Sequence, residues 1–281
     1  MTLTPEKRLL VAAGLFLVAA PFLASLSMDL LVRQMLYPAP PVPVPATPPA
    51  PLEALTLTSS EGDQIVAWAR ERPGSSVAVL FLHGNGENLA TLHWSGLFDE
   101  FHRLGASTLA IDYPSYGRST GKPSQASLTA AGIAGFRALQ DRFPESRHAI
   151  VGWSLGAAIA MQVAVPVEEE LSALAVLSPW HDLPSLAKRF FPGMLVNMAL
   201  KDRYHSGDAA ASLRLKTLVV HGATDELIPV EQGRRLATRL PAGSRVVELD
   251  GVGHNELMGQ SQTWSELAAW LGLDPAVAAG P

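Results

Sequence analysis

Residues 150–160 read IVGWSLGAAIA. One serine, Ser154, stands between Gly152 and Gly156, after an apolar run and before an alanine-rich stretch. An apolar run of five residues suits a buried strand, and the alanine-rich stretch suits a helix, so the serine falls at a strand-to-helix turn. A G-x-S-x-G in that context places a hydroxyl at the apex of a sharp, strained turn. Both flanking positions need glycine, because a Cβ two residues from the apex would collide with the turning chain. The other reading of the stretch is a glycine-rich point of close packing between a strand and a helix.

The rest of the chain agrees with that frame. Continuous apolar runs recur at 77–82, 107–112, 148–152, 174–178, 217–222 and 245–250. Runs of this kind read as strands buried on both faces. Longer stretches at helical period separate them, including NLATLHWSGLFDEFHRLG and SLTAAGIAGFRALQDRF. Strand and helix in alternation predict a mostly parallel twisted sheet with helices on both faces. Two alternating segments before these, ALTLTS and QIVAWAR, predict an opening antiparallel pair. In such sheets ligands bind beyond the carboxyl ends of the strands.

Three further strand ends carry chemistry. FLHGNGEN, 81–88, ends a strand before a helix. The backbone N–H of Asn85 there, with that of Leu155, is a candidate pair of oxyanion donors. No G-x-x-x-x-G-K-[ST] is present to favour phosphate binding instead. HGATDELIP, 221–229, offers Asp225 as an acid that orients an imidazole, with Asp182 of SPWHDLP as its rival. His221 reads as a packed residue at its strand end. LDGVGHNEL, 249–257, offers His254, the one histidine of eight in a glycine-flanked loop after the last strand. The chain order Ser154, Asp225, His254 is nucleophile, acid, base.

Composition bounds the function. The 281 residues carry net charge −5, with 48% hydrophobic and 17% charged residues. No long Lys/Arg run is present, so nucleic acid is not the expected partner. There is no cysteine, which excludes a thiol nucleophile and Cys-ligated zinc. No histidine shows metal-ligand spacing such as H-E-x-x-H, and no metal or cofactor is expected.

Lys7 and Arg8 precede twenty residues without charge, Leu9 to Met28. That length matches a membrane-spanning helix, and Pro21 within it is tolerated in lipid. A cleavable signal peptide is the alternative, but its apolar core is shorter and ends in a small-residue cleavage site. The charges on the N-terminal flank predict that this end stays cytoplasmic and the remainder crosses, although Arg33 lies on the far flank. Residues 37–51, YPAPPVPVPATPPAP, read as a semi-rigid polyproline spacer of roughly 40 Å at about 3.1 Å per residue. A ligand for a proline-binding module is the other reading. The expected plan is an anchor over 1–36, the spacer over 37–51, a catalytic domain over 52–274 and a tail over 275–281.

The segments FLHGNGEN, AIDYPSYGRSTGKPS, VGWSLGAAIA, LSPWHDLPSLA, VVHGATDELIPVEQGRRL and DGVGHNEL together resemble the α/β-hydrolase superfamily. More narrowly they resemble the Bem46 and ABHD13/ABHD17-like serine hydrolases, over roughly residues 60–272. The resemblance implies the α/β-hydrolase fold, with Ser154, Asp225 and His254 as triad and Asn85 and Leu155 as oxyanion donors. It also implies an N-terminal membrane segment, and Asp112 reads as structural beside the tight loop of Tyr113, Tyr116 and Gly117. The expected function is hydrolysis of small-molecule or lipid acyl esters or thioesters. A peptidase on the same fold and a non-catalytic binding protein are the alternatives; a dehalogenase would need Asp at 154. Between the strands ending near Ser178 and beginning near Thr217 the interval is short, a minimal lid. Phe191 and Met194 within it, with Phe190 and Leu195, are expected to line an acyl pocket, and Trp153 to border it.

Overall fold

A computed structural model describes residues 31–273. Eight strands form one sheet: β1 Glu53–Thr58, β2 Gln64–Arg70, β3 Val77–Leu82, β4 Ser107–Ile111, β5 Arg147–Trp153, β6 Ala173–Leu177, β7 Thr217–Gly222 and β8 Arg245–Leu249. Their order is β1-β2-β4-β3-β5-β6-β7-β8. β1 and β2 pair antiparallel, β2 meets β4 antiparallel, and the remaining pairs are parallel.

The hydrophobic pattern of β3 explains why the sheet sits in the middle. Ala78, Leu80 and Leu82 pack into one core with the helices Gln125–Arg142 and Leu155–Val167. Val77, Val79 and Phe81 pack into another with the helices Leu89–Trp94, Leu97–Arg103 and Ser261–Leu271. All six side chains are buried. Successive strand residues point to opposite faces, so a six-residue run that is apolar throughout requires cover on both.

The proline-rich run does not stand off from this body. Tyr37, Val44 and Leu52 are buried in its cores, and the side-chain amide of Asn88 donates to the Val42 carbonyl at 2.8 Å. Residues 31–36, ahead of the run, are helical. The spacer expectation fails because apolar residues spaced along the run bury surface, which outweighs the tendency of proline-rich chain to stay solvated. The apolar stretch 9–28 and the tail 275–281 lie outside the described residues. Among the described residues no helix is long and apolar enough to cross a membrane.

Candidate active site

Strand β5 delivers Ser154 to the carboxyl edge of the sheet, and the helix Leu155–Val167 begins at the next residue. Ser154 has φ 56° and ψ −115°, a conformation that side chains other than glycine rarely adopt. Its N–H donates to the Leu177 carbonyl at 2.9 Å, which anchors the turn to β6. A Cβ at 152 would collide with the carbonyl oxygen of Gly156, and one at 156 with the carbonyl oxygen of Leu82. Both glycines are therefore demanded by backbone, which cannot swing aside.

The loops after β7 and β8 bring two more groups to the same place. His254 Nε2 lies 3.0 Å from Ser154 Oγ, and His254 Nδ1 lies 2.7 Å from Asp225 Oδ2. All three residues are buried. Burial alone raises the Asp225 carboxyl. Hydrogen bonds from His221, His254 and the Ile228 N–H outweigh that and hold it well below the usual carboxylate range. An ionised carboxylate only accepts, so His254 Nδ1 carries the proton. Nε2 then faces Oγ as an acceptor, the arrangement that lets an imidazole take a proton from a hydroxyl. Thr224 N–H donates to the Val252 carbonyl at 3.1 Å, which ties the two loops together.

The amides of Asn85 and Leu155 meet no acceptor among the described residues. Asn85 is held by its side chain: Oδ1 accepts from the Tyr116 hydroxyl at 2.6 Å, and Nδ2 donates to the Leu36 carbonyl at 2.7 Å. Its peptide is held too. His83 Nδ1 lies 2.8 Å from the Gly84 carbonyl, and the N–H of Gly84 donates to Glu87 at 2.8 Å. Burial lowers His83 to about 4 against the effect of that carbonyl, so a neutral ring donates through Nδ1. Because Gly84 C=O and Asn85 N–H belong to one planar unit, fixing the carbonyl fixes the opposed N–H.

Asp182 bonds elsewhere: it caps the helix Leu183–Ala187 through the Ser185 N–H and lies 3.2 Å from His181 Nδ1. Asp112 is buried behind the loop, accepting the Leu89 N–H at 2.9 Å. Burial raises it to about 7 against backbone bonds from Leu89 and Arg118. His221 Nε2 sits 2.7 Å from the Ile228 carbonyl and 3.5 Å from Asp225 Oδ2. No group of three or more His, Asp or Glu among the described residues is arranged to hold a metal ion.

Of the five residues expected at an acyl pocket, Phe190, Phe191 and Leu195 line one apolar groove, and Trp153 and Met194 are outside its lining. Trp153 stacks on the His254 ring, centroids 5.6 Å apart, and lines a separate cleft with Glu87 and Asn255. Met194 is 77% exposed: in the helix Gly193–Ala199 only Val196 turns inward. Phe191 shares that groove with Leu31, Val32, Met35 and Leu36.

A family model described as alpha/beta hydrolase fold matches residues 77–207. An uncharacterized protein of Mycobacterium tuberculosis is 31% identical over 206 residues, 72% of each chain. The chain belongs to the α/β-hydrolase family. Alpha/beta hydrolase domain-containing protein aho-3 of Caenorhabditis elegans is 32% identical over 78% of this chain and 65% of its own length. The human alpha/beta hydrolase domain-containing protein 17C is 30% identical over 73% of this chain and 60% of its own. Among solved structures, the Pyrococcus furiosus esterase Pf2001 superposes with a TM-score of 0.68 at 20% identity, over 83% of this chain and 98% of that one. Est1E of Butyrivibrio proteoclasticus, solved with ferulic acid bound, gives 0.60 at 18% identity, over 76% of this chain and 95% of that one; both share the fold.

Sequence reading missed the groups that hold the loop of Asn85 in this α/β hydrolase: His83, Glu87 and, in the arm, Leu36. His83 and Glu87 flank Gly84-Asn85-Gly86 directly, and polar residues on both sides of such a turn are the one available signal. Leu36 gives none, since its carbonyl does the work.

Proposed function

We propose that the protein is a serine hydrolase that cleaves carboxylic esters or thioesters through an acyl-enzyme intermediate. The observation that carries the reading is the Ser154 Oγ to His254 Nε2 separation of 3.0 Å with Asp225 behind the ring. A serine hydroxyl is a weak nucleophile unless a base takes its proton. In this reading His254 Nε2 accepts that proton as Oγ attacks the acyl carbon, and Asp225 stabilises the imidazolium that forms. The amides of Asn85 and Leu155 stabilise the oxyanion, each contributing about 3 kcal/mol to the transition state. The imidazolium then protonates the departing alcohol or thiol. Water, activated by the same imidazole, releases the acid and restores Ser154.

Fluorophosphonate labelling tests this. Wild type becomes covalently labelled and Ser154→Ala does not, with p-nitrophenyl ester turnover lost in parallel. Label on both chains, or on neither, overturns the reading. Turnover of aminoacyl amides with no turnover of esters would move the assignment to a peptidase. The reading extends to a membrane-held enzyme, since the uncharged run 9–28 follows Lys7 and Arg8. Its catalytic domain then lies on the non-cytoplasmic side, and an intact-cell protease cleaves it.

A further inference from the structure

A groove of about 300 Å³ runs beside the site, and every residue lining it is apolar. Its walls come from two distant parts of the chain. Leu31, Met35 and Leu36 of the N-terminal arm form one side, and Phe191 and Leu195 the other, with Leu227 at one end. Most of these are uncovered: Met35 is 53% exposed, Leu31 51% and Leu227 51%. A contiguous exposed patch of this kind marks a binding site.

Two contacts connect the groove to the reacting centre. The Leu36 carbonyl accepts the side-chain amide of Asn85 at 2.7 Å. Leu227 lies in the loop in which Asp225 accepts the Ile228 N–H at 2.7 Å. Of the residues lining the groove, Leu36 is thus bonded to the loop of Asn85 and Leu227 belongs to the loop of Asp225. With no polar side chain in its walls, it suits a hydrocarbon chain. The walls are also joined. Tyr37, next to Leu36, donates its hydroxyl to Asp202 Oδ2 at 2.8 Å and lies 3.1 Å from the Tyr204 hydroxyl; Asp202 and Tyr204 follow the helix that ends the opposite wall.

We propose that residues 31–37 form one wall of the site for the substrate's acyl chain, with Tyr37 pinning that wall against the other. The proposal rests on the hydrolase reading for the reacting group. Its test separates binding from turnover.

In the Ser154→Ala chain, decanoate displaces a bound fluorescent fatty acid such as dansylundecanoate. Met35→Trp and Leu31→Trp fill the groove from exposed positions, and thermal melting confirms that they fold. Each weakens decanoate binding at least tenfold, while Val246→Trp, on the far edge strand, leaves it unchanged. In the active chain the ratio of kcat/KM for octanoate over acetate esters falls about tenfold in both arm variants. Decanoate binding that is absent, or the same in the arm variants as in the parent, overturns the proposal. So does binding of lipid vesicles lost in those variants with no decanoate displacement, since a bilayer surface would then occupy the groove. Decanoate binding lost in the arm variants, with no ester turnover in wild type, overturns the hydrolase reading alone.

Discussion

Asn85 donates its side-chain amide to the carbonyl of Leu36 at 2.7 Å, joining the loop after β3 to a segment 49 residues earlier. The same side chain accepts the Tyr116 hydroxyl, so it braces its own backbone N–H from two directions. Asn85→Ala keeps that N–H and removes both braces. We expect kcat on acetate esters to fall about tenfold, which corresponds to about 1.4 kcal/mol of transition-state stabilisation. Tyr116→Phe removes one brace and should cost less. Steady-state kinetics of both variants check the order.

Asp225→Asn should lower kcat by about four orders of magnitude, because an amide can donate to Nδ1 and favour the wrong imidazole tautomer. The stability effect has a definite sign. The folded carboxyl titrates below its usual value, so its contribution is present above about pH 4 and is lost as pH falls through the folded value. Urea unfolding of wild type should weaken below about pH 4, and Asp225→Asn should flatten that limb.

The glycines of the serine turn meet backbone oxygens. Gly152→Ala and Gly156→Ala should each destabilise by at least about 3 kcal/mol, the upper part of the range for forced overpacking. Denaturant midpoints measure this. A surface glycine with open space around it, Gly62, is not a matched control, since its φ of 86° is itself unfavourable for alanine.

Burial raises Glu87 to about 7, opposed by its bond from the Gly84 N–H. A carboxyl that titrates higher when folded holds its proton more tightly there, so its contribution falls as pH rises from about 4.5 to about 7. Glu87→Gln keeps an acceptor for Gly84 and removes the charge. It should raise stability above pH 7 by about 3 kcal/mol and leave stability at pH 4 unchanged. Thermal melts across that range test both ends.

The sheet was legible because its strands are buried on both sides. Expected and observed bounds coincide for β3 and β7 and differ by one residue for β4, β6 and β8. Such runs keep an apolar centre even where polar residues stand in them, as Ser107 and Thr108 do in β4, Thr217 and His221 in β7, and Arg245 and Glu248 in β8. The arm was not legible: proline dominates its composition, while Tyr37, Val44 and Leu52 decide its position by finding apolar partners far along the chain. Trp153 stacks on the His254 ring and lines a cleft with Glu87 and Asn255, a pairing of distant residues that no local pattern announces. His83 and Glu87 could be seen as residues but not as a brace, because their roles come from one peptide plane's orientation.

The strand that carries His254 lies at one edge of the sheet. Ser154 follows β5, which has neighbours on both sides, whereas His254 follows β8, which pairs with β7 alone. Edge elements open at lower free energy than central ones. Gentle heating should therefore silence this molecule before it melts: the imidazole drifts off with its fraying border while the hydroxyl stays seated, and cooling restores both.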